Sequence, residues 1–146
     1  MILAIASDHA GFELKEAIKA AFPQHEFLDF GAPSTASVDY PDTGSAAAKA
    51  VAAGKAELGI LVCGSGIGMS IVANKIPGIR AALCYCTDVA RLSRLHNDAN
   101  VLCLAGRFTA VPYALEIVQA WLETSFEGGR HQKRIQKIKN IEGESL

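Results

Sequence analysis

Five short apolar runs recur along the chain, and segments with helical spacing separate them. Residues 2–6, 27–30, 58–63, 80–85 and 101–105 read as strands. Phe12, Leu14, Ala17, Ile18, Ala21 and Phe22 then recur with a helical period, and Pro23 ends that segment. Asp42 reads as the cap of an alanine-rich helix over 46–53, closed by Gly54. A short helix is expected over 69–75, stopped by Pro77 and Gly78, and Thr87 reads as a cap for the next one. An amphipathic helix over 109–123 carries Pro112 in its first turn, and a last helix is expected over about 130–141. On this last helix Ile135, Ile138 and Ile141 read as the buried side.

Strands that alternate with helices imply right-handed crossovers and a parallel sheet. The expectation is therefore an α/β fold: one doubly wound, five-stranded, Rossmann-like domain spanning residues 1–146. Half the residues are apolar and a fifth are charged, which excludes disorder as the main state. A net charge of −1 supplies no basic field for nucleic acid. The start MILAIASDHAG has no basic segment before an apolar core, and no apolar run reaches membrane-spanning length. A cytoplasmic protein without membrane or nucleic-acid partners is expected. With no export signal read at the start, no disulfide framework is expected among Cys63, Cys84, Cys86 and Cys103, and without C-x-x-C spacing no structural zinc site is expected either.

In sheets of this class ligands bind beyond the carboxyl ends of the strands. The unusual polar residues of this chain fall there. Cys63-Gly64-Ser65-Gly66-Ile67-Gly68-Met69-Ser70 joins the third strand to a helix, and its glycines can turn tightly and offer N–H groups to an anion. The spacing G-x-G-x-G is not the dinucleotide fingerprint, and no G-x-x-x-x-G-K-[ST] is present. A turn needed only for close packing is the alternative reading. Cys63 lies at the lip of this loop, where a thiol is easier to ionise and can serve as base or nucleophile. Equally, a cysteine there is a small buried hydrophobe; for Cys84, Cys86 and Cys103 that reading is preferred.

Asp8 and His9 follow the first strand, as helix cap and exposed histidine or as ligands for a hydroxyl and an anion. His96-Asn97-Asp98-Ala99-Asn100 is dense in polar side chains for a turn, whereas His25 and His131 carry no such context. Arg130 and Arg134 share a helix face, with Lys137 continuing it, and suit either a phosphate or solvent. Arg107 follows the fifth strand, and Asp39 and Tyr40 precede the second helix as weaker candidates.

Together these segments resemble the B-type ribose-5-phosphate isomerases and their relatives acting on galactose 6-phosphate and allose 6-phosphate. The resemblance runs through SDHAGFELK (7–15), DYPD (39–42), CGSGIGMSIVANK (63–75), GIRAALC (78–84), SRLHNDANVL (93–102), GR (106–107) and EGGRHQKR (127–134). It implies interconversion of ribose 5-phosphate and ribulose 5-phosphate, as in the pentose phosphate pathway, without a metal or organic cofactor. It implies a homodimer or dimer of dimers whose sites are shared between subunits. By resemblance, Cys63 is the catalytic base, His96 opens the furanose ring, and Ser65 carries the hydroxyl that relatives often supply with threonine. Asp8, Asn97, Tyr40 and Ser70 are expected at the sugar, and Gly64, Gly66, Ile67 and Gly68 around the enediolate. His9, Arg107, Arg130 and Arg134 are expected at the phosphate. Some relatives place an acid on the loop helix; Ile71-Val72-Ala73-Asn74 has none, which favours the cysteine here. A six-carbon sugar phosphate, a non-catalytic phosphate or nucleotide module, and a nicotinamide oxidoreductase are the competing readings.

Overall fold

A computed structural model describes residues 1–143. Its elements run β1 (Ile2–Ser7), α1 (Phe12–Ala21), β2 (Glu26–Asp29), α2 (Tyr40–Ala52), β3 (Leu58–Cys63), α3 (Ile67–Ala73), β4 (Ala81–Leu83), α4 (Thr87–Asn97), β5 (Val101–Ala105), α5 (Val111–Glu123) and α6 (Arg130–Glu142). The five strands form one sheet in the order β2-β1-β3-β5-β4, and every neighbouring pair is parallel. The expected α/β architecture is therefore present.

The strand order dictates where each helix lies. Right-handed crossovers put connections that run in opposite directions across the sheet on opposite faces. The β1-to-β2 and β4-to-β5 connections run one way, so α1 and α4 share a face, which α5 joins by packing against both. The β2-to-β3 and β3-to-β4 connections run the other way, and α2 and α3 pack together on the second face. The first face buries Leu3, Ile5, Ile18, Ile60, Val62, Leu102, Leu104, Ile117 and Trp121. The second buries Ala4, Ala6, Ala47, Ala48, Leu61, Cys63, Met69, Ala73 and Cys103. Period-two alternation along β1 feeds both cores, with Leu3 and Ile5 on one face and Ala4 and Ala6 on the other.

Several element starts differ from the sequence expectation. Helix α2 begins at Tyr40 with Asp39 as its N-cap, so Asp42 lies in the first turn. Pro41 explains the shift, because its fixed φ suits a first turn. Helix α3 begins at Ile67 because Gly66, with φ of 75°, swings the chain directly into it. Cys86, not Thr87, is the N-cap of α4, and Ala110 precedes α5. Strand β4 is confined to 81–83. Ahead of it, the Arg80 N–H donates to Asn100 Oδ1 at 2.8 Å, and the Ala81 N–H donates to Asn74 Oδ1 at 2.9 Å. On α6 the buried residues are His131 and Ile135; Ile138 and Ile141 are exposed. The sheet is already covered by five helices, and α6 packs along the side of α4, with Glu142 at its end accepting the Gly78 N–H at 3.0 Å.

Candidate active site

The crossover connections reverse direction across the sheet between β1 and β3, and the carboxyl ends of these parallel strands open a cleft. Cys63 is the last residue of β3 and is buried on the alanine-rich face. The chain beyond it is held from both sides. The Gly106 N–H donates to the Cys63 carbonyl at 2.8 Å, and the Arg107 N–H donates to the Gly64 carbonyl at 3.0 Å. The exit of β5 is thereby tied to the glycine loop, and Arg107 lies across Gly64, whose added Cβ would sit 3.2 Å from the guanidinium. Gly66 is required by space as well as by φ, since a Cβ there would meet Leu83 at 2.5 Å and the Leu104 backbone at 3.0 Å. Gly68 is closed by the Tyr40 ring, 2.7 Å from where a Cβ would stand.

The resulting cleft of about 400 Å³ is lined by Asp8, Tyr40, Cys63, Gly64, Ser65, Ile67, Gly68, Ile71, Arg107 and Phe108. Asp8 is buried, and its Oδ1 accepts the Gly11 N–H at 2.9 Å, so it braces the entry to α1 while still facing the cleft. The Ser65 hydroxyl accepts the Ile67 N–H at 3.2 Å and shapes the turn from within. A thiol, a carboxylate, a hydroxyl and a guanidinium thus surround one concave volume.

Other expected site residues lie elsewhere in the chain. Ser70 does not line the cleft; its hydroxyl donates to the Ile67 carbonyl at 2.8 Å, one turn back in its own helix. His9 is half-buried outside the lining, where Nδ1 accepts the Val38 N–H at 3.4 Å and steadies the loop ahead of α2. His96 and Asn97 end α4, and Arg130 and Arg134 are exposed on α6; none of the four lines the Cys63 cleft. Asn97 instead borders a groove with Arg80, Ile138 and Ile141. The last turn of α4 is clamped. Arg80 donates to the Asn97 and Asp98 carbonyls, and Arg94 donates to Asp98 Oδ1 and to the Ala99 carbonyl.

Sequence reasoning set His131 aside and gave Glu127 no role, yet both meet His96. The His96 and His131 rings stack with centroids 4.3 Å apart and planes 14° from parallel. Glu127 Oε2 lies 3.7 Å from His96 Nε2 and 3.3 Å from His131 Nε2. Part of the signal was available: His131 and Ile135 stand four residues apart, as on a buried helix side, while Glu127 in the loop before α6 carried none. These donors all lie within 4.8 Å of one another. The near-parallel planes, however, send the two nitrogen lone pairs along lines that do not meet on one ion at the usual distance of about 2.0–2.1 Å. Ile71 and Phe108 are further lining residues without a polar signal in the sequence. Burial pushes the Cys84 thiol up to about 11 and raises Cys103 further, which suits packing roles for both. No helix among the described residues is long and apolar enough to cross a membrane.

Comparison with known proteins places this geometry in context. Residues 3–138 match the family model described as Ribose/Galactose Isomerase. The chain is 46% identical to ribose-5-phosphate isomerase B of Escherichia coli strain K12, over 96% of this chain and 95% of that one. The solved structure of Clostridium thermocellum ribose-5-phosphate isomerase B superposes with a TM-score of 0.96 at 48% identity, covering 98% of each chain. That of the Mycoplasma genitalium ribose-5-phosphate isomerase B, solved with bound ribulose-5-phosphate, gives 0.93 at 42% identity, covering 99% of this chain and 97% of that one.

Proposed function

The chain belongs to the ribose/galactose isomerase family as an aldose–ketose isomerase of the ribose-5-phosphate isomerase B type, and from that premise we propose that it interconverts ribose 5-phosphate and ribulose 5-phosphate with Cys63 as its base. The observation that carries this reading is the convergence of Cys63, Asp8, Ser65 and Arg107 on one cleft at the ends of β1, β3 and β5.

The furanose form of the substrate has no carbonyl, so the ring opens first. His96 serves here, moving a proton from the O1 hydroxyl to the ring oxygen, since an imidazole can accept a proton at one nitrogen and donate from the other. In the open aldehyde the C2–H is acidic. The Cys63 thiolate takes that proton, the C–H electrons form the C1–C2 double bond, and the carbonyl electrons move onto O1. Backbone N–H groups of the Gly64–Gly68 loop favour the charge that grows there. Cys63 returns its proton to C1, the C2 hydroxyl proton passes to O1, and the ketose results. Because both carbons are adjacent, one mobile base serves both transfers. Asp8 and Asn97 hold sugar hydroxyls. His9, Arg107, Arg130 and Arg134 hold the phosphate, whose binding energy keeps C1 and C2 beside the thiol.

Two copies of the chain share each site in this reading. His96, Asn97, Arg130 and Arg134 lie away from the Cys63 cleft of their own chain, while exposed Ile67, Ile71 and Phe108 border that cleft as an apolar rim for a second copy. The test is an isomerase assay with ribose 5-phosphate, allose 6-phosphate and galactose 6-phosphate, repeated with Cys63→Ala. Turnover of ribose 5-phosphate that vanishes in the variant supports the proposal. Preference for a six-carbon sugar moves the substrate, and turnover that survives in Cys63→Ala removes the assigned base.

A further inference from the structure

We propose that His131 is a positioning residue for ring opening: its buried imidazole holds the plane of the His96 ring, and Glu127 closes the pair at the Nε2 edge. The inference rests on the role of His96 stated above. The backbone of His96 is already fixed by the Arg80 and Arg94 clamps on the last turn of α4. Its ring is not fixed by them. The side chain is 38% exposed, and the terminal torsion of a histidine is broad rather than confined to sharp wells. What restricts it is the neighbouring ring. His131 is 4% exposed and lies on the buried side of α6 with Ile135. It stacks on His96 at 4.3 Å and 14°. Its buried Nε2 has no hydrogen-bond partner and faces Glu127 Oε2 at 3.3 Å, the same oxygen that lies 3.7 Å from His96 Nε2. Glu127 is itself held, because its N–H donates to the Leu95 carbonyl at 3.1 Å, one residue before His96. Side chains from the α5–α6 loop and from α6 therefore set the orientation of one imidazole on α4, and a proton shuttle loses efficiency when its ring turns away.

Ring opening and enolisation can be separated experimentally. A ketose with its C5 oxygen esterified cannot close a furanose ring, so ribulose 5-phosphate is an open chain. Exchange of its C1 proton with solvent D2O, followed by NMR, reports enolisation without ring opening. Turnover of ribose 5-phosphate requires both. In His131→Asn, kcat for saturating ribose 5-phosphate is expected to fall between about tenfold and about 100-fold. The C1 exchange rate at saturating ribulose 5-phosphate is expected to stay within about twofold of the wild type. His131→Phe, which keeps a buried aromatic stack, is expected to retain most of the turnover. A parallel loss of both rates in His131→Asn, unchanged turnover in it, or a His131→Phe as slow as His131→Asn each overturns the proposal. If His131→Asn does not fold, the Phe variant with Glu127→Gln carries the same comparison, turnover falling in Glu127→Gln alone. His96→Asn serves as control: full ribose 5-phosphate turnover in it refutes the ring-opening role itself, independently of His131.

Discussion

The two faces of the sheet are built on opposite principles. One is filled by bulk: Trp121, Ile18, Ile60, Leu102 and Ile117 are all fully buried between the sheet and α1, α4 and α5. The other is filled by smallness, with Ala4, Ala6, Ala47, Ala48 and Ala73 beneath α2 and α3. On the small face there is no room to spare. A Cβ on Gly59 would meet Val51 at 3.1 Å, and one on Gly44 would meet Met69 Sδ at 2.5 Å. Small residues bring α2 close to the sheet and to α3, which is what lays Tyr40 against Gly68 beside Cys63. Bulk removes more apolar area from water and so carries more stability. Smallness fixes distances, and the cleft lies on that side.

The largest effect that sharpens this contrast is chemical. Cys63→Ala on the small face should lower kcat by about 10²–10⁴-fold, measured with ribose 5-phosphate, while costing only about 1 kcal/mol of stability in urea unfolding. A variant that loses several kcal/mol instead would make Cys63 a packing residue and erase the contrast. Next comes Trp121→Ala on the bulky face. It should cost about 3–5 kcal/mol by the same unfolding measurement, with kcat per folded molecule preserved. A collapse of kcat in the folded fraction would show that the bulky face also sets the cleft.

A smaller effect is expected where the small face meets the site. Gly68→Ala pushes a methyl group against the Tyr40 ring and should cost about 1–3 kcal/mol. Combining it with Tyr40→Ser should recover most of that loss in thermal unfolding; no recovery would mean that the ring is not the obstacle. The smallest effect belongs to neither face. Asp29, at the end of edge strand β2, is bonded by Lys15 at 2.8 Å and Lys19 at 2.7 Å. Burial raises its pKa, but the two ammonium groups and the Gly31 N–H together outweigh that and hold it below the ordinary 3.8. Its contribution is therefore complete above pH 3.8 and is lost as pH falls through the lower folded value. Asp29→Asn should flatten the unfolding profile in that acid window and leave the profile near neutrality parallel to wild type.

How much of this was legible in the sequence depends on the residue. The strands announced themselves, because a doubly covered strand must be apolar throughout, and β3 and β5 begin and end where the runs do. Boundaries set by one backbone angle or one side-chain bond were not legible. Gly66 starts α3 two residues before its apolar pattern, and Asn74 and Asn100 stand in for strand partners ahead of β4. Ser70 was expected at the sugar, but helical geometry turns its hydroxyl back onto the Ile67 carbonyl. Lys15 carried no signal of burial in the sequence, yet it is 1% exposed, since Asp29 and the Ala32 carbonyl satisfy its ammonium group.

The sequence by itself determined the α/β class and that polar residues gather at the strand ends, where the cleft is found. These follow from local periodicity and from the handedness of L-amino-acid chains, which every short segment carries. Only the tertiary structure decided which of those residues meet. Cys63, Asp8 and Arg107 are far apart in sequence and converge because β1, β3 and β5 are neighbours in the sheet. His96 joins His131 and Glu127 instead, because α6 packs along α4 rather than over the strand ends. Strand order and helix docking are set by the packing of whole faces, a property that no single segment contains.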